Sequence, residues 1–151
     1  MSNDTGLGLS ASQCEDLRRI ADVMIPPSAE FAVPGAGDGV ILDDMLRTME
    51  RDTADVRAAL EQLASLSGGS FSRLDPARQE SVATTFLASG TPEVAVLGRV
   101  VLQCYYRDDR VLRALGVDPR PPFPRGHELE QGDWSLLDPV RTRARMWRDA
   151  P

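Results

Sequence analysis

The sequence predicts an all-α fold: a bundle of about six to seven helices with a proline-rich extended C-terminal segment. Three observations carry this. Apolar residues recur at spacings of three and four in successive stretches punctuated by Asp, Pro and Gly. The stretch Pro92–Tyr106, PEVAVLGRVVLQCYY, is apolar on nearly every side, as a helix central to a bundle would be. From Val117 the character changes, and four of the chain's 11 prolines fall between Pro119 and Pro124, which favours extended, polyproline-like backbone.

The elements follow in order. Residues 1–9 are polar and expected to be disordered. A first helix is expected over Ala11–Met24, with Ser12-x-x-Glu15 as capping box and Leu17, Ile20, Ala21 and Met24 as its stripe. Pro26-Pro27 stops it. Residues 26–37 form a loop whose Phe31 and Val33 are expected to pack on something. Asp38 caps a second helix carrying Val40, Ile41, Met45, Leu46 and Met49. A third helix over Ala54–Leu66 turns Val56, Leu60, Leu63 and Ala64 inward and ends at Gly68-Gly69. Phe71 and Leu74 pin the next link. Asp75-Pro76 opens a fourth helix with Val82, Phe86 and Leu87 inward, closed by Gly90. Thr91-Pro92 opens the apolar helix, whose first turns are expected to be wholly internal and whose Val94, Leu97, Val101, Cys104 and Tyr105 share one face. It is shorter than the ~20 residues of a membrane span, and Arg99 interrupts it. Asp108 or Asp109 starts a short sixth helix closed by Gly116, and a last helix is expected at about Pro139–Trp147. The domain organisation is therefore a disordered segment 1–9, a helical domain 10–116, and a tail with a terminal helix over 117–151.

Composition excludes some functions. Every basic residue is arginine, so lysine-based chemistry is absent. Residues 1–106 hold 8 Arg against 15 Asp and Glu, or −7, and residues 107–151 hold 9 Arg against 8, or +1. An acidic body argues against nucleic-acid binding. Cys14 and Cys104 stand in separate helices without a CxxC partner and read as reduced and buried. His127, the one histidine, cannot form a two-histidine metal site. Adjacent Asp43 and Asp44 point about 100° apart on a helix and share no proton. Gly6-x-Gly8 and Gly35-x-Gly37 lack the preceding strand of a dinucleotide fingerprint. No catalytic, cofactor-binding or metal residue is assigned. Aromatics and arginines gather instead in the last third, a composition that interfaces favour.

The order IADVMIPP, PGAG, an acid-led helix, YYRDDRVLRALG, a PPFP stretch and Trp134 resembles the gluconate 2-dehydrogenase subunit 3 family over roughly Leu17 to Trp134. Ile20, Ala21, Asp22, Ile25, Pro26, Pro34, Gly35 and Ala36 carry the stronger part, and Tyr105, Tyr106, Leu115 and Gly116 the later part. The resemblance implies a small, non-catalytic, helical subunit of a bacterial complex. Its partner would be a large FAD-dependent oxidoreductase of the glucose-methanol-choline type acting on sugars or polyols. FAD would sit in the partner, whose flavin N5 takes hydride and whose histidine takes the hydroxyl proton. The expected partner interface is Pro34, Gly35, Tyr105, Tyr106, Arg107, Phe123, Trp134 and Trp147, with the last turn of the apolar helix near it. Many family members carry a twin-arginine export signal. Here Arg18-Arg19 is followed by Asp22 and Pro26 rather than an apolar core. The expected location is therefore cytoplasmic, with co-export to the periplasm on a signal-bearing partner as the other route. The alternative function is a free-standing helical adaptor or regulator without a flavoprotein.

Overall fold

The computed structural model describes residues 8–121, 123, 126, 130–144 and 146. Among them are seven α-helices and no strand: α1 (Ala11–Met24), α2 (Gly39–Thr48), α3 (Thr53–Ser67), α4 (Pro76–Ala88), α5 (Pro92–Tyr105), α6 (Asp109–Ala114) and α7 (Asp138–Arg141). Short 3-10 turns occupy Glu50–Asp52, Phe71–Arg73 and Trp134–Leu137. The chain divides into two units, Met1–Pro119 and Arg120–Pro151. No single helix among the described residues is long and apolar enough to cross a membrane.

In the first unit the expected caps are largely in place. Asp38, Asp75, Thr91 and Asp108 each accept a backbone N–H of the following first turn, and Pro76 and Pro92 occupy first-turn positions. Gly68, at φ +67°, ends α3 in the left-handed conformation that glycine adopts without steric cost. One cap differs. The capping box of α1 is Ser10 with Gln13, not Ser12 with Glu15. Ser10 Oγ accepts from Gln13 N at 3.2 Å and Gln13 Oε1 from Ser10 N at 2.9 Å. A helix starting at Ala11 has its cap at residue 10, and Glu15 is left to pair with Arg18 on the surface. The disorder expected through residue 9 is corrected at its end. Leu9 is fully buried, and the Gly8 carbonyl accepts from the Arg57 guanidinium.

The core is one cluster that runs through α1 to α6 and Phe71. α3 is its common partner: it packs on α1, α4 and α5 and on both neighbouring 3-10 turns, burying Val56, Ala59, Leu60 and Leu63. This corrects the reading of α5 as enclosed on all sides. α5 packs on α3 and α2 and buries Val94, Leu97, Val100, Val101, Cys104 and Tyr105. Its other face carries exposed Pro92, Ala95, Arg99, Leu102 and Gln103, so its first turns are not wholly internal. Among the described residues the main neighbours of α5, α2 and α3, lie on one side of it. Leu87 and Phe31, expected to face inward, are exposed as well, Phe31 at 66%.

Two buried polar side chains tie α1 to distant sequence. Asp16 accepts from the Ser70 hydroxyl and the Ser72 N–H, both at 2.8 Å. Gln79 on α4 accepts from Arg19 Nε at 2.7 Å and donates to the carbonyls of Phe71 and Ser72. Among the described residues no buried side-chain nitrogen or oxygen lacks a hydrogen-bond partner, as a well-formed interior requires.

In the second unit the helix expected at Pro139–Trp147 is a single turn, α7, entered from the 3-10 turn Trp134–Leu137. A helix this short is marginal without an apolar face to bury, and Leu136, Val140 and Met146 are all more than half exposed. Trp147 and His127 lie outside the described residues.

Candidate partner-binding surface

The residues that carry the resemblance fold into two connected devices. The first joins the end of α1 to the loop at 26–37. The Asp22 carboxylate, two residues before the end of α1, accepts the N–H of Gly37 at 2.9 Å. The Ala36 N–H donates to the Ile25 carbonyl at 2.9 Å, which brings fully buried Ala36 against the helix end. Such closeness requires glycine on both sides. A Cβ on Gly35 would lie 2.8 Å from Pro27 Cδ and nearer still to Asp22, and one on Gly37 would lie 2.6 Å from Asp22 Cγ and nearer to the Arg18 carbonyl. The Asp-Pro-Gly-Ala-Gly pattern is thus the chemistry of a loop clamped to a helix terminus. The loop's tip turns back through paired Ser28–Val33 hydrogen bonds at 3.1 Å, leaving Phe31 in solvent.

The second device fastens the segment after α5 to α2 by arginine. Arg110 Nη2 donates to Asp38 at 2.7 Å and to Asp108 at 2.9 Å. Arg107 Nε donates to Asp44 at 3.0 Å and its Nη2 to Thr48 Oγ1 at 3.1 Å. Asp38 is both the cap of α2 and the residue that follows the clamped loop, so the two devices share one corner of the molecule. The adjoining cavity of about 250 Å³ is lined by Val40, Ile41, Asp44, Arg47, Cys104 and Arg107.

The expected interface residues divide accordingly. Gly35 and Tyr105 are buried, Tyr105 at 4% exposure, and serve the fold rather than an outer surface. Pro34 is half-buried. Tyr106 is 52% exposed and stands edge-on to Tyr105, with ring centroids 5.2 Å apart. Arg107 is half exposed but held by Asp44. Phe123 and Trp134, in the second unit, are exposed. Val40 and Phe31 join the exposed apolar side chains of the first unit without having been expected at the interface, because each sits in a stripe or loop that reads as inward-facing. Cys104 is buried as expected and Cys14 only partly, and neither forms a disulfide.

The Arg110 guanidinium holds the Asp38 and Asp108 carboxyls below the usual carboxylate range. Burial pushes the Cys104 thiol up. Depressed folded-state values mean that this contribution is complete above the unfolded carboxylate pKa of ~3.9 and is lost as pH falls through the folded values. Arg110→Met should therefore lower stability at pH 7 by up to about 1 kcal/mol, a half-exposed pair being solvent-screened. The difference from the parent should shrink towards pH 2, as urea unfolding at both pH values will register; an equal loss at both would assign the effect to packing.

Among the described residues no group of three or more His, Cys, Asp or Glu is placed to hold a metal ion. Comparisons of the chain with protein-family models, with curated proteins and with solved structures found no match.

Proposed function

We propose that the chain is a non-catalytic small subunit that docks on and stabilises a large FAD-dependent oxidoreductase acting on sugar or polyol hydroxyls. The chemistry and the FAD belong to the partner. The observation that carries this reading is the joining of the two resembling segments. Asp22–Gly37 and Asp38–Arg110 bring the IADVMIPP–PGAG stretch and the YYRDDR stretch to one corner of the bundle. Around it, Phe31, Val40 and Tyr106 leave more than half of their surface in solvent. Exposed apolar and aromatic side chains on a rigid scaffold suit a permanent partner.

A subunit that binds only the folded form of its partner stabilises it by mass action. Co-expression should therefore yield a soluble yellow complex, and the large subunit expressed alone should be insoluble or poor in flavin. A large subunit that is stable and fully active alone would remove this role, and recovery of no flavoprotein would favour an adaptor. Tyr106→Ala and Val40→Asp should each weaken the complex about tenfold or more. The melting temperature of the isolated chain should change little, since neither side chain is in the core. Titration calorimetry and thermal melting separate the two effects.

A further inference from the structure

We propose that a polar cleft between the 3-10 turn Glu50–Asp52 and the C-terminal half of α5 is a binding site for a phosphate group, free or as a small monoester. The inference is independent of the subunit reading. The cleft has a volume of about 230 Å³, and its polar lining includes Thr48, Arg51, Asp52, Arg99, Gln103 and Arg107.

Three arginines line it, from three places: the 3-10 turn, the middle of α5 and the residue after its C-cap. Two are already oriented by carboxylates. Arg99 Nη2 donates to Asp52 at 2.9 Å, and Arg107 Nε to Asp44 at 3.0 Å. Each guanidinium has five N–H donors, so both keep donors to spare. Arg51 forms no hydrogen bond or ion pair with any described residue. An arginine cluster that only fastened helices would match each cation with a carboxylate, and this one does not. With the Asp44 that holds Arg107 counted beside Asp52, the cluster carries three arginines and two aspartates, 3 − 2 = +1, on a body whose first 106 residues sum to −7. The Cys104 thiol at the cleft is held neutral by burial and adds no opposing charge. Arginines brought to one cleft by separate elements suit an anion with three or more oxygens, whereas a planar carboxylate satisfies one fork at a time.

The test is a titration of the full chain with inorganic phosphate, methyl phosphate, acetate and chloride at matched ionic strength, followed by backbone amide NMR. Phosphate should produce saturable shifts centred on Thr48, Arg51, Arg99 and Gln103, with a Kd on the order of 1 mM. Tighter binding of methyl phosphate would identify a monoester as the ligand, and tighter inorganic phosphate the free ion. Arg51→Ala should weaken binding about fivefold or more and Arg51→Glu should abolish it. Neither removes a fold-holding contact, so both variants should keep the parent's melting temperature. A response equal to that of chloride, equal affinity for acetate, or an Arg51→Ala variant that titrates like the parent would each overturn the proposal.

Discussion

Replacing Leu97 by alanine should lower the unfolding free energy by about 2–5 kcal/mol, the range for emptying a fully enclosed leucine site. Leu97 is 0% exposed and lies on the face of α5 that meets α3 and α2. The same replacement at Leu102, five residues on and 45% exposed, should change stability by no more than about 0.5 kcal/mol. At this chain length each kcal/mol corresponds to roughly 2–4 °C in melting temperature. Urea unfolding of the two variants therefore reads the orientation of α5 directly. Equal losses at both positions would mean that the helix is enclosed all round after all.

Gly37→Ala should cost about 2 kcal/mol or more through a different mechanism. A methyl group there would press on the Arg18 backbone carbonyl and on the Asp22 carboxylate, neither of which is the loose end of a flexible chain. Overpacking of this kind costs typically about 1–3 kcal/mol. It would also displace the Gly37 N–H from Asp22, leaving that carboxylate without a described partner. Gly39→Ala is the matched control, because a Cβ there meets nothing within 4 Å at the first position of α2. It should stabilise the chain by about 0.4–1 kcal/mol, since alanine has less freedom to lose on folding. If both variants behaved alike, the clamp between α1 and the loop would not be tight.

The contrast between the two experiments reflects what the sequence could and could not disclose. Helix starts were legible, because a cap is local chemistry. Asp38, Asp75-Pro76, Thr91-Pro92 and Asp108 act within three residues of themselves. The orientation of α5 was not, because valine and leucine on all sides show how many faces a helix could bury, not how many neighbours it has. Phe31 misled for the same reason. The clamp at Gly37 was half visible: Asp22 and the PGAG loop were both singled out, but only the fold shows that one holds the other. Asp38 and Arg110 lie 72 residues apart, so no spacing rule could have joined them. Arg99 likewise read only as a break in an apolar helix and Arg107 as an interface residue, and Arg51 was not singled out; the turn at Glu50–Asp52 sets all three around one cleft.

The polar ties of α1 also bear on synthesis. Asp16 is satisfied by Ser70 and Ser72, and Arg19 by Gln79, so α1 cannot be seated until the chain has been made at least 60 residues further. At roughly 5–20 residues per second that interval is about 3–12 s. Until then Leu17, Ile20 and Ala21, fully buried in the finished protein, lack the part of their native surroundings that the turn at Phe71–Arg73 and α4 supply. The seat of α1 is thus complete only once α4 has been made, and its apolar stripe is a part of the nascent chain that a holdase has reason to cover.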